Sequence, residues 1–361
     1  MERQARVCWQ APAQAMTMLK SKAHSTPQDS KLSEFELIAQ YFTPLTKPDA
    51  ANIDIGIGDD CAVFCLEDNE RLAVSVDTLV AGIHFPVQAK PGQIATRAIA
   101  VSVSDLAAMG ARPVAITLAL TVPENHARWF AEFAQGLASS LEQYSVPLVG
   151  GDTTRGAVSI TVQVMGALPK NLALTRAGAK AGDLVFVSGY LGDGAAALAS
   201  MSDGQINGDY FENRFYQPQA RIELGQKLLV LASAAIDISD GLLADAGHIA
   251  KASSVAINIE QEKLPISRAA AEFGDKTQQL QWALAGGDDY ELCFCVPAEK
   301  KTEVKALADK LSLPLTEIGY VEQGLGVQCL DGAGQKVTFD KGGYQHFDTD
   351  TEVPIKNGGI V

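Results

Sequence analysis

Apolar residues recur along this chain in two rhythms, one helical and one alternating. Leu32, Phe35, Ile38, Ala39 and Phe42 fall at helical spacing behind a Ser33…Glu36 capping-box pattern, and Pro44 and Pro48 close that segment. Alternating or continuous apolar runs predict strands near 53–57, 62–66 and 72–76, the last leading directly into Asp77. A helix is expected over 93–109, with Ile94, Ala98, Val101 and Leu106 near one face and Gly110 as its stop. A β-branched strand over 113–122 and an amphipathic helix over 126–144 follow, the helix carrying Trp129, Phe130 and Phe133 as core. A short strand at 146–149 is expected to open onto a Gly150-Gly151-Asp152 loop, with another strand at 157–167. Residues 168–176, with Pro169, read as a linker.

The second half repeats the mixture. A strand begins at 184, and Gly192-Asp193-Gly194 opens an Ala-rich helix. Pro218 is expected at the first helical position ahead of 222–231. A helix at 242–252, strands near 255–259 and 290–296, a charged helix at 300–311 and short strands near 318 and 327 complete it.

Composition bounds what such a chain does. Its 361 residues are 47% hydrophobic and 20% charged, enough for a large core and two domains. The net charge of −14, without a basic run, argues against nucleic acid or an anionic membrane as partner. No apolar run approaches the roughly 20 residues that span a bilayer. The six cysteines form no C-x-x-C pair and read as reduced thiols of a cytoplasmic protein. Residues 1–30 are polar and lack the apolar core of a secretory signal, so they are expected to be a disordered extension, or to lie upstream of a true start at Met16 or Met18.

Carboxylates carry the candidate chemistry. Asp59-Asp60, Asp77, Asp105, Asp152, Asp240 and Asp288-Asp289 each sit beside Gly, Ser or Thr at the edge of an apolar segment, and Asp237 lies two residues from Ser239. Neighbouring acids repel and require counter-charge, and Mg²⁺ prefers such oxygens and shares them with phosphates. Gly and Asp are also ordinary turn residues; it is the repetition that favours metal. Asp105 is expected in the last turn of its helix, where an acid opposes the dipole unless a cation sits against it. No Walker P-loop, kinase H-R-D/D-F-G set, G-x-S-x-G, H-E-x-x-H or G-x-G-x-x-G pattern occurs. What remains is acidic turns with Gly-Gly-Asp segments, which suits metal-assisted phosphoryl transfer.

Seven segments, 55–64, 75–85 (S-V-D-T-L-V-A-G-I-H-F), 102–113, 150–156, 174–183, 236–250 and 286–294, resemble in order the motifs of the thiamine-monophosphate kinase family. That family belongs to the ATP-using superfamily of aminoimidazole ribonucleotide synthetase and selenophosphate synthetase. The resemblance spans residues 31–347 and implies an α/β (α+β) fold of two domains, each a mixed sheet with packed helices. The division expected is a 1–30 extension, a 31–168 ATP/metal-binding and dimerisation domain, a 169–347 C-terminal α/β domain and a 348–361 tail. It implies a homodimer with ATP sites near its interface.

By the same resemblance, Asp60, Ser75, Val76 (through its carbonyl, since relatives often have Thr there), Asp77, Asp105, Asp152, Asp237 and Asp240 would hold several Mg²⁺ ions. Gly151, Asp152, Arg176 and Ser239 would touch ATP. His84, Asp288 (often Glu in relatives) and Tyr344 would touch thiamine monophosphate. Structural roles stand beside these: helix capping for Asp237 and Asp240, packing for His84 and Tyr344, a surface linker position for Arg176. The implied reaction is ATP-dependent phosphorylation of thiamine monophosphate to thiamine diphosphate, by direct in-line attack with no general base. Two other readings compete: a superfamily enzyme forming a phosphorylated amide or selenide, and a cation-binding protein without turnover. The polar 1–30 segment, with Cys8 alone, argues against the selenium chemistry; Arg176 and Ser239 argue against the last.

Overall fold

The computed structural model of the protein describes residues 33–46, 53–57, 61–202, 208–337 and 343. Two of the expected site residues, Asp60 and Tyr344, lie outside them, as do Cys8, the 1–30 segment and the 348–361 tail.

The described chain opens on the expected capping box. The Ser33 N–H donates to the Glu36 carboxylate at 2.7 Å, and the Glu36 N–H donates back to the Ser33 hydroxyl at 3.4 Å. Helix α1 (Glu34–Leu37) then relaxes into a π turn over Ile38–Phe42 and a 3₁₀ turn over Thr43–Leu45. Pro44 explains the departure from a regular helix, since it has no N–H and its ring crowds the carbonyl four residues back.

The first half builds β1 (Ile53–Ile55), β2 (Val63–Phe64), β3 (Glu70–Val80), α2 (Pro91–Met109), β4 (Arg112–Val122), α3 (Ala127–Gln143), β5 (Leu148–Arg155) and β6 (Ser159–Pro169). Strands β3-β6-β4-β5 form one sheet, antiparallel except for the parallel β4–β5 pair. Helices α2 and α3 pack together, and α2 also covers β3 and β6. Their apolar stripes fill the core with Ile99, Leu106, Phe130, Phe133 and Leu137, all buried to 2% exposure or less. Burying one such side chain contributes roughly 1.5–3 kcal/mol before entropy is counted. Gly110 ends α2 in the left-handed conformation at φ 72°, as its place in the sequence predicts.

The second half builds β7 (Leu184–Ser188), α4 (Asp193–Ser202), α5 (Gly208–Tyr216), α6 (Ile222–Leu228), β8 (Ala234–Asp237), α7 (Leu242–Ser253), β9 (Ala256–Glu260), α8 (Arg268–Phe273), α9 (Lys276–Ala285), β10 (Leu292–Val296), α10 (Lys301–Leu311), β11 (Leu315–Glu322), β12 (Gly326–Leu330) and β13 (Lys336–Val337). A mixed sheet of order β13-β12-β9-β11-β7-β10-β8 is its frame. The architecture is thus two mixed sheets with packed helices.

The two halves share cores. Phe211, Phe215 and Tyr216 of α5 and Ala196 and Ala197 of α4 join the cluster built around α2 and α3. Ala107 and Ala108 of α2 join Leu224, Phe186 and Phe294 of the second half. Two sequence expectations fail locally. Pro218 does not start a helix but lies in the short connection between α5 and α6. The 150–155 stretch is not a loop: β5 runs on through Gly150-Gly151-Asp152, paired with β4. Strand pairing overrides the turn propensity of Gly and Asp there. Glycine is required at 151 because a Cβ would sit 2.0 Å from the Leu118 carbonyl oxygen.

Candidate active site

Between the halves lies a cavity of about 550 Å³ lined by β3, the turn after it, α2 and the loops after β8 and α9. Strand alternation decides which acids reach it. On β3, Leu72, Val74 and Val76 are exposed on one face, while Ser75, Asp77 and Leu79 turn towards α2. Asp77 therefore sits inside a strand rather than at its end, and its partner across the ladder is Val162.

Helix spacing supplies the opposite wall. Arg97, Val101 and Asp105 are four residues apart, fall on one face of α2, and all line the cavity. The Ser75 hydroxyl donates to the Asp105 carboxylate. From the second half come Asp237 at the end of β8, then Ser239 and Asp240, with Asp288 beyond α9. The Ser104 hydroxyl donates to Asp237 at 2.7 Å. Five carboxylates from both halves, Asp77, Asp105, Asp237, Asp240 and Asp288, thus line one cavity together with Ser239, His84 and the backbone of Val76.

This crowding has an electrostatic signature. Burial, and then the charge of Asp105, push Asp77 up to about 6, against a small opposing bond from Ser102. Asp237 rises to about 7 through burial and Asp105, offset by Ser104. Anionic carboxylates here lack compensation, and a cation would supply it. Among the described residues no three His, Cys, Asp or Glu groups already converge closely enough to hold an ion. The donor set is nevertheless all hard oxygen, which fits a magnesium ion and not a thiolate-seeking metal.

Asp245 is a residue that motif reasoning missed. Its carboxylate accepts N–H bonds from Ser239, Asp240 and Gly241 at 3.0, 3.1 and 3.1 Å, which folds the Asp237–Gly241 loop over the start of α7. Burial, then Asp237 and Asp240, raise it to about 7. An acid in the first turn of a helix behind a Ser-Asp-Gly loop was the available signal. The alternative role weighed for Asp237 and Asp240, capping this helix, is not what they do: the N-cap of α7 is Gly241, with no side-chain cap bond.

Asp288 lines the cavity with an internal partner. Expected to touch thiamine monophosphate, it is already compensated within the protein, by Arg97 at 2.6 Å. Gly287, Asp288 and Tyr290 all have positive φ (67°, 63° and 52°). Such strain costs about 1–3 kcal/mol per non-glycine residue and persists only when neighbours over-determine it. Here Asp288 and Tyr290 donate their N–H groups to Ser239 and Ile238 carbonyls. Behind the turn, Glu291 takes a bidentate bond from Arg221 (2.6 and 2.5 Å), and Asp289 accepts the Gly192 N–H at 2.8 Å. His84 accepts the Val80 N–H on Nδ1 at 3.0 Å, so the neutral ring carries its proton on Nε2.

Four expected residues do not line this cavity; Ser75 reaches it only through its bond to Asp105. Asp152 pairs with Ala119, which continues through Thr161 to Thr78 in one row across the sheet, so it lies on the outer face, opposite to Asp77, and is exposed. Gly151 shares that edge strand. Arg176 is exposed, and its carbonyl accepts from Ser253.

Known proteins share this arrangement. Residues 58–168 match the AIR synthase related protein, N-terminal domain, and residues 180–330 match its C-terminal domain. The thiamine-monophosphate kinase of Escherichia coli (strain K12) is 44% identical over 321 residues, covering 88% of this chain and 98% of that protein. A crystal structure of thiamine-monophosphate kinase from Stenotrophomonas maltophilia K279a superimposes with a TM-score of 0.78 at 42% identity, covering 85% of this chain and 98% of that one. A structure described as AaThiL complexed with AMPPCP and TMP gives 0.69 at 32% identity, covering 89% and 99%. With both family models matched in order and this identity over nearly the whole of a relative's length, this chain belongs to the thiamine-monophosphate kinase family of AIR synthase related proteins.

Proposed function

We propose that this protein transfers the γ-phosphoryl group of ATP to thiamine monophosphate, giving thiamine diphosphate, with Mg²⁺ assistance. The observation that carries this reading is the meeting of acids from both halves in one cavity of a chain 32% identical to a protein solved with AMPPCP and TMP. Asp77, Asp105, Asp237 and Asp240 would hold the metal, with Asp60 and the Val76 carbonyl as further ligands and Ser75 fixing Asp105. When bound, magnesium neutralises the phosphates and aligns donor and acceptor. Ser239 would touch the nucleotide, while His84, Asp288 and Tyr344 orient the acceptor. No side chain is needed as a general base, because a phosphate monoester with a second pKa near about 6 already carries an anionic oxygen at neutral pH.

A second copy of the chain completes the reading. The outward face of β3 exposes Leu72, Val74 and Val76 at 45, 52 and 59%. An edge strand with such a face favours burial against a partner, and we assign it to a homodimer. Asp152 lies on that face of the sheet, and with Gly151 and Arg176 its role towards nucleotide and metal would be exercised at the dimer. Among the described residues no helix is long and apolar enough to cross a membrane, and none of the five described cysteines is in a disulfide; we assign the enzyme to the cytoplasm. ADP release dependent on both thiamine monophosphate and Mg²⁺ is the test. ATP turnover without that dependence would overturn the assignment.

A further inference from the structure

One side chain ties together the segments assigned to the acceptor. Arg97 is 3% exposed, although it lies between apolar turns of α2. Its guanidinium makes three bonds to three separate segments. Nε donates to the His84 carbonyl at 3.0 Å, Nη1 to the Phe215 carbonyl at 2.7 Å and Nη2 to Asp288 Oδ1 at 2.6 Å. Its plane lies over the Phe215 ring, 3.9 Å from the centroid. The Phe215 carbonyl is at the end of α5, where unpaired carbonyls and the helix dipole both favour a cation. Burial disfavours the charge of Arg97, and Asp288 restores it.

The partition of bonds on Asp288 is informative. Oδ1 accepts from both Arg97 and the Tyr290 hydroxyl, the latter at 3.1 Å. Among the described residues Oδ2 has no hydrogen-bond donor, yet Asp288 lines the cavity. The rigid fork of an arginine fixes orientation as well as charge, which an ammonium does not. The turn that carries Asp288 is strained at φ 63°, so an external hold on its carboxylate matters more than it would in a relaxed loop.

We propose that Arg97 is the positioning residue for the acceptor: it locks the His84 turn to Asp288 across the two halves, and leaves Oδ2 of Asp288 to receive the ligand. The proposal rests on thiamine monophosphate being that ligand. Arg97 does not itself attack or transfer anything; it acts through the two groups it holds.

The test compares Arg97→Met, Arg97→Lys and Asp288→Asn in the full-length protein, with KM measured separately for ATP and thiamine monophosphate. We expect Arg97→Met to raise KM for thiamine monophosphate roughly tenfold or more, the factor that follows from losing a charged hydrogen bond, with KM for ATP within about twofold. Arg97→Lys keeps the charge without the fork and should recover part of the loss. In the Arg97→Lys/Asp288→Asn double variant the two effects should fail to add, since one acts through the other. If Arg97→Met does not fold, the Lys variant and the cycle carry the test alone. Equal changes in both KM values, unchanged KM in folded variants, or strict additivity would overturn the proposal. A wild-type protein that releases no ADP with thiamine monophosphate would instead overturn the functional reading, and the acceptor role with it.

Discussion

Ser104 and Asp237, from α2 in the first half and the end of β8 in the second, are joined by a buried hydrogen bond of 2.7 Å. This bond sets the distance between the two acidic walls. Asp105 follows Ser104 in sequence and adds its charge to Asp237 and Asp77 alike. One helix thus carries both the tie between the halves and the repulsion that opposes it.

Asp105→Asn separates these effects. Removing the charge of Asp105 relieves Asp77 and Asp237, so the metal-free protein should melt no lower than wild type at pH 8. Activity should nevertheless fall at least roughly a hundredfold in kcat, as expected when a main electrostatic contributor to phosphoryl transfer is lost. Raising Mg²⁺ should restore little. Substantial recovery at high Mg²⁺ would mean that Asp105 sets metal affinity alone.

The raised acids also predict how stability depends on pH. Asp77 (about 6) and Asp237 (about 7) hold protons in the folded state that an unfolded carboxylate near 3.8 has released. Between those limits the folded state binds more protons, so unfolding free energy falls as pH rises. Without divalent cations the melting temperature should therefore drop, by roughly a few degrees, from pH 5 to pH 8. Mg²⁺ should flatten or reverse that slope, because ligation requires the deprotonated carboxylates, and its affinity should rise over the same range. Calorimetry at several pH values, with Mg²⁺ and with chelator, reads both. A flat metal-free profile would contradict the assignment of these two groups.

Asp245 offers a variant that acts on the loop without touching a ligand. Asp245→Ala strands three backbone donors of the Asp237–Gly241 loop and should cost about 1–3 kcal/mol of stability. Asp245→Asn keeps an acceptor oxygen and should be milder. Both should lower activity by displacing Asp237 and Ser239. Denaturant unfolding alongside turnover would expose the alternative, in which the two variants behave alike.

How much of this was legible in the sequence depends on whether a signal was local. The helical period from Ile94 to Leu106 and the stop at Gly110 located α2 to within two residues. The acids of 77, 105, 240 and 288 stand out by their Gly, Ser and Thr neighbours, and Asp237 by its place three residues before Asp240; the cavity gathers all five. Strand β5 was misread because Gly-Gly-Asp-Thr-Thr has turn chemistry, and only pairing with a distant β4 makes it extended. Helix α5 went unread although Phe211 and Phe215 are four apart and buried, since Asp209, Glu212, Asn213 and Arg214 surround them. Arg97 escaped for a related reason. An arginine in a helix reads as surface, and its partners are 13, 118 and 191 residues away in the chain.

Stereochemistry at phosphorus is the sharpest test of mechanism. A kinase acting on an alcohol needs a base to take the hydroxyl proton. The acceptor here is a phosphate whose oxygen is already anionic at neutral pH, so the barrier is the approach of two anions. Among the described residues lining the cavity, permanent positive charge comes only from Arg97, and its nearest carboxylate is Asp288. The remaining acids serve to gather cations. Asp77 and Asp237 are the groups whose raised protonation reports that demand. Direct in-line attack on the γ-phosphorus follows, without a phosphorylated protein side chain. A chiral γ-phosphoryl group should therefore transfer with inversion, and unphosphorylated thiamine should be a very poor acceptor. Retention of configuration, or a phosphorylated Asp or His isolated after rapid quench, would require two displacements and a covalent intermediate in their place.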